Sequence, residues 1–166
     1  MSMKTPEFSS IELRDESATD AFGKALAAVL PTSVVVGLIG PLGAGKTRLV
    51  QAIARAADIE DGIVASPTFV LVHEYQGRVP IFHFDAYRLA KPEEFLGLGP
   101  EEYFSGRGWT FVEWADRVSA YLPKERLDIV IEPTGSTSRR LTLIPQGLLA
   151  AEIVERLKPA INATSR

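Results

Sequence analysis

The residues with the clearest chemical potential are Gly40-Pro41-Leu42-Gly43-Ala44-Gly45-Lys46-Thr47, which fit the pattern G-x-x-x-x-G-K-[ST]. Small residues at these positions let successive backbone N–H groups turn inward around an anion. The dipole of a following helix adds positive potential, and a lysine at position 46 reaches the outer oxygens of a phosphate chain. The hydroxyl of Thr47 is then placed to meet Mg²⁺. The pattern implies a nucleoside triphosphate as ligand, with Pro41, Leu42, Gly43, Ala44, Gly45, Lys46, Thr47 and Arg48 as its cradle.

Such a cradle needs a second anchor for the metal, normally an acid at the end of a neighbouring buried strand. Trp109-Thr110-Phe111-Val112-Glu113 runs mostly apolar and ends in a carboxylate, so Glu113 is the first candidate. Asp85 is its rival: in Ile81-Phe82-His83-Phe84-Asp85 the alternation puts Ile81, His83 and Asp85 on one face. An acid among so many apolar neighbours is costly unless it is hydrogen-bonded or close to a metal, and a buried pair with Arg88 is the structural alternative. Ser66-Pro67-Thr68 sets two hydroxyls around a stiff turn; it reads equally as a sensor of the terminal phosphate and as a cap on the next strand. Trp114 reads equally as a flat face beside the nucleotide and as core packing. His73 and His83 have no evident third ligand and read as satisfied core histidines. Arg88, Arg107 and Arg117 are candidate phosphate or partner contacts, with solvated surface arginine as the default.

The elements around these residues must place them. Residues 34–39 are β-branched, end at a glycine and read as a strand buried on both faces; residues 46–57 read as a helix with Leu49, Val50, Ile53 and Ala54 on one side. Residues 17–30 form an earlier amphipathic helix, capped by Ser17 and stopped by Pro31. Residues 68–75 and 79–87 are strand-like and joined by Gln76-Gly77-Arg78, which predicts a hairpin. Two short helical segments follow, opened by Pro92 and Pro100. Strands at 109–112, 126–131 and 139–144, a helix at 116–122 and a closing helix at 148–157 complete the pattern, with 158–166 as a frayed tail. The reading is one α/β domain of the P-loop type over residues 1–166, core 11–145, with a mixed parallel and antiparallel central sheet flanked by helices.

Composition removes several classes of function. The chain has 166 residues, no cysteine and a net charge of −3. Thiolate nucleophiles, disulfides and cysteine-bound metals are therefore excluded, and a cytoplasmic location is the expectation. An acidic chain gives no general electrostatic grip on DNA or tRNA, so little direct tRNA binding is expected. No apolar run approaches the roughly 20 residues of a membrane span. The only asparagine is Asn162, so the N-K-x-D signature that reads guanine is missing and ATP is preferred over GTP. A small-molecule kinase and a nucleotide-binding interaction module are the rival classes; no arginine-rich lid segment supports the first.

At this point four blocks, in order, resemble the bacterial TsaE (YjeE) family of ATPases required for the threonylcarbamoyladenosine modification of tRNA. They are Leu42-Gly43-Ala44-Gly45-Lys46-Thr47; Ser66-Pro67-Thr68-Phe69 with Leu71-Val72-His73-Glu74-Tyr75; His83-Phe84-Asp85-Ala86-Tyr87-Arg88-Leu89; and Val112-Glu113-Trp114. The resemblance covers about residues 11–143. It implies ATP and ADP as ligands, Mg²⁺ as the metal, slow hydrolysis, and the TsaD and TsaB proteins as partners. It also implies Lys46 as the phosphate lysine, Thr47 and Glu113 as direct or water-mediated metal ligands, Asp85 as a catalytic or water-orienting acid with metal contact, Ser66 and Thr68 as a switch-like loop, and Trp114 as a neighbour of the nucleotide. The chain departs from many relatives at Arg48, Leu49 and Ala115, outside the atoms that would touch phosphate.

Overall fold

In the computed structural model, which describes residues 8–65 and 71–164, the apolar runs pair into one mixed sheet. Its strands are β1 (Ser9–Leu13), β2 (Ser33–Ile39), β3 (Val72–Tyr75), β4 (Ile81–Asp85), β5 (Gly108–Glu113), β6 (Arg126–Pro133) and β7 (Arg139–Gln146). The order across the sheet is β1-β7-β6-β2-β5-β4-β3. The centre is parallel, with β2 paired to β5 and β6, and β4 to β5; the margins β1/β7, β6/β7 and β3/β4 are antiparallel. This is the expected α/β class with a mixed sheet, and the hairpin through Gln76-Gly77-Arg78 forms as the turn chemistry dictates.

Burial on both faces explains the run of β-branched residues in β2, where Val36 and Leu38 are fully enclosed. One face is covered by α1 (Glu16–Val29), α2 (Lys46–Ala56) and α4 (Leu148–Thr164). There Phe22, Leu26, Leu49, Ile53, Val154 and Leu157 meet Phe111, Leu127, Ile129 and Leu143. The other face carries a smaller cluster of Phe84, Val112, Phe95 and Val118, roofed by two 3-10 helices (Pro92–Leu98 and Ala115–Tyr121) and by α3 (Pro100–Ser105). Pro92 and Pro100 each sit in a first turn, where a missing N–H costs nothing. Among the described residues no helix is long and apolar enough to cross a membrane.

Two local expectations change. Asp15, not Ser17, caps α1: its Oδ1 accepts from the Ala18 N–H at 2.8 Å, which starts the helix at Glu16. The same helix stops as expected at Pro31, which holds Leu30 extended. The residues expected as a frayed tail from 158 onward continue α4 through Pro159 to Thr164. The proline removes one helical hydrogen bond, and the buried side chain of Ile161 offsets that loss by extending the stripe of Ile153, Val154 and Leu157. Replacing Ile161 by Ala should therefore cost about 2 kcal/mol and lower Tm by about 6 °C in a thermal scan; an unchanged Tm would mean the helix end does not pack.

Candidate functional site

A strand-to-helix turn is built where backbones crowd. At Gly40 a Cβ would stand 2.5 Å from the Ile131 carbonyl oxygen of β6, so only glycine lets the loop leave β2 at that point. Gly43 and Gly45 adopt φ of +78° and +103°, which turns the loop back on itself before α2 begins at Lys46. The open N-terminus of α2 has no side-chain cap, so its amide dipoles face the loop rather than a serine or aspartate.

Parallel register does the rest. Leu38 lies beside Glu113, and Asp85 lies beside Glu113 on the other side, so both acids end their strands at the edge where the loop emerges. Thr47 Oγ1 donates to Glu113, at 2.8 Å from Oε2 and 3.1 Å from Oε1. Lys46 Nζ donates to the Gly40 and Pro41 carbonyls at 2.7 and 2.9 Å, folded back over its own loop. The same ammonium stands 4.1 Å above the centre of the Trp114 ring. Burial pushes the Lys46 ammonium below its ordinary value, against the opposing pull of Glu113, Asp85 and Asp116. With the folded value below the unfolded one, a charged Lys46 weakens the fold at neutral pH. That penalty fades as pH rises from the folded value toward the unfolded value of 10.5, and an anion bound beside the ammonium would offset it.

Asp85 is nearly enclosed and its Oδ1 accepts from the Tyr87 N–H at 2.8 Å, which fixes the carboxylate at the strand end. Trp114 takes a left-handed backbone, φ +60°, costly for a bulky residue and held by its neighbours. Its ring lies 4.9 Å from that of Tyr87, so the two aromatics form one wall of a cleft of about 440 Å³. Leu42, Gly43, Gly45, Lys46, Thr47, Arg48, Asp85, Arg88, Glu113 and Trp114, all singled out in the sequence, line this cleft, joined by Tyr87; Pro41 and Ala44 of the expected cradle do not line it. Arg48 has a second engagement: its guanidinium pairs with Asp20 of α1 at 2.7 Å, tying α2 to α1. Ser66 and Thr68 lie outside the described residues. Arg117 serves structure, donating to the carbonyls of Leu89 and Ala90.

Among the described residues no group of three or more His, Asp or Glu side chains is arranged to hold a metal alone. The donors present are the Thr47 hydroxyl and the Glu113 and Asp85 carboxylates. They suit a hard cation such as Mg²⁺, which is typically bound by one or two carboxylates together with phosphate oxygens. The hydroxyl and the carboxylate already face each other, as two ligands of one ion must.

His83 is a core histidine, as the sequence indicates, but its partner is a residue of the candidate site, which the sequence does not show. Its Nε2 stands 2.5 Å from Glu113 Oε2, and its ring is fully enclosed. With Nε2–H donating to the Glu113 carboxylate, Nδ1 has no hydrogen-bond partner among the described residues. The signal was present in the i, i+2 spacing that puts His83 on the Asp85 face of β4; what the sequence lacked was the register that lays β4 along β5. Glu113 is thus gripped by Thr47 from α2 and His83 from β4. Replacing His83 by Leu should remove about 2 kcal/mol of stability in urea unfolding, because a buried carboxylate loses a donor; a variant as stable as the parent would show that the bond contributes nothing.

Comparison with known proteins agrees with this geometry. The family model for the threonylcarbamoyl adenosine biosynthesis protein TsaE matches residues 13–141. The Bacillus subtilis tRNA threonylcarbamoyladenosine biosynthesis protein TsaE is 42% identical over 148 residues, covering 89% of this chain and 92% of the relative. The Nostoc protein of the same name is 34% identical, covering 92% and 95%. The crystal structure of Bacillus subtilis YdiB superposes with a TM-score of 0.81 at 33% identity, covering 94% of this chain and 97% of that one. With the family model spanning residues 13–141 and relatives of this identity covered over most of their length, the chain belongs to the TsaE family.

Proposed function

We propose that this chain binds Mg·ATP in the cleft above α2, hydrolyses it slowly on its own, and couples that cycle to the TsaD and TsaB proteins during threonylcarbamoyladenosine modification of tRNA. The observation that carries the reading is the pair of hydrogen bonds from Thr47 to Glu113 beside the buried ammonium of Lys46. A glycine-rich turn with no ligand has no use for a buried lysine whose charge is disfavoured by its surroundings.

In this reading the loop amides and the first turn of α2 hold the phosphates, and Lys46 leaves the Gly40 and Pro41 carbonyls to meet the outer oxygens. Thr47 and Glu113, with Asp85 as a further candidate, would hold Mg²⁺, which would supply charge neutralisation for the bound phosphates. Asp85, fixed at the end of β4 by the Tyr87 N–H, is the group to accept a proton from, or orient, an attacking water. Trp114 and Tyr87 wall the cleft. The net charge of −3 supports a role exercised through protein partners rather than by gripping tRNA.

Nucleotide turnover measured with and without the two partner proteins tests the proposal. Faster ATP loss in the assembly is expected, and Lys46→Ala should weaken ATP binding at least about tenfold by removing a charge-assisted contact. Glu113→Ala should flatten the Mg²⁺ dependence; an unchanged Mg²⁺ titration would transfer the metal role to Asp85. Phosphoryl transfer to a small acceptor without partners would replace this reading with a kinase.

A further inference from the structure

One side chain beside the loop has no role in the account so far. Arg139 opens β7, and its guanidinium lies against the backbone of Gly45: a Cβ on that glycine would fall 1.7 Å from Nη1. Its Nε and Nη1 are shut off from solvent and have no hydrogen-bond partner among the described residues. Its neighbour Arg140, by contrast, pairs with Glu12 at 2.6 Å. Leaving two sealed guanidinium donors without acceptors is costly, and such a group signals a ligand it has yet to meet.

Topology says which part of a ligand that is. β5 with Glu113 and β4 with Asp85 lie on one side of β2, whereas β6 and β7 lie on the other. A triphosphate whose outer end points at Glu113 therefore has its nucleoside pointing toward β7. The inner phosphate is served by the amides at the start of α2, and Arg139 is not among the residues that wall the phosphate cleft. On its far side Leu13 pairs with Arg139, and Thr137 donates to the Arg14 carbonyl at 3.3 Å, so the turn before β7 and the corner between β1 and α1 meet there.

Resting on the nucleotide-binding reading above, we propose that Arg139 contacts the nucleoside of the bound nucleotide. Swung away from the Gly45 backbone, its unpartnered nitrogens donate to ribose or base acceptors, and its planar guanidinium supplies a face for the base. Arg139 thereby fills the base-holding role for which this chain has no N-K-x-D segment.

Binding of ATP, ADP and inorganic tripolyphosphate to the full-length chain, with Mg²⁺, separates the possibilities for Arg139→Met and Arg139→Lys. The proposal expects ATP and ADP to weaken together, by about tenfold for Met, while tripolyphosphate binds as before. Lys keeps the charge without the plane and should recover only part of the loss. Loss of ATP affinity alone would place the residue at the outer phosphate. Equal loss of all three ligands would make it a support for the loop or a contact to the inner phosphate. No change in any would leave it without a ligand. Each of these three results overturns the proposal. Should the parent chain itself bind neither nucleotide nor tripolyphosphate, the reading beneath the proposal fails instead. If the Met variant does not fold, the Lys variant carries the same comparison.

Discussion

Everything at the site depends on the parallel register of three strands. β2, β5 and β4 run in one direction and end at one edge, so a glycine loop, a glutamate and an aspartate arrive together although they are far apart in sequence. Parallel strands buried on both faces leave no freedom to slip, because a shift by one residue would turn every side chain to the opposite face. The apolar residues of β5 therefore do more than fill the core: by fixing the height of Glu113 they fix its distance to Thr47. The fold positions the site through burial, and the polar contacts at the strand ends inherit that precision.

The charges gathered there are costly when the cleft has no ligand. Lys46 is enclosed and satisfied by two carbonyls of its own loop, with an indole ring beneath it, while Glu113 is held by a threonine hydroxyl and a histidine. These contacts offset part of that cost, and in the proposed function they are the contacts a cation and a phosphate chain would replace. Trp114, strained at positive φ, sits at the junction of β5 and the helical turn that follows it, so its geometry answers to both.

Much of this was legible in the sequence because its signals are local. The loop motif, the run of valines before it and the strand ending in Glu113 each carry their own pattern, and the α/β class with a mixed sheet follows from their alternation. What escaped depends on contacts between distant segments. His83 reads correctly as core, but its pairing with Glu113 is invisible because that partner is on another strand, and nothing local singles out Arg139 because Gly45 is remote in sequence. The end of α4 was misread for a related reason: proline is a strong local stop, and only the tertiary burial of Ile161 overrides it. Ser66 and Thr68, singled out as a switch-like loop, lie outside the described residues.

Calorimetric titration of ATP into the full chain, with Mg²⁺ and again with the metal chelated, shows whether the cleft holds a metal-bound nucleotide. The account predicts saturable uptake at one site per chain, clearly tighter when Mg²⁺ is present, because the Thr47 hydroxyl and Glu113 carboxylate face each other across the place the ion would take. A well-folded sample that takes up no ATP at high concentration under either condition, even with TsaD and TsaB added, would contradict it.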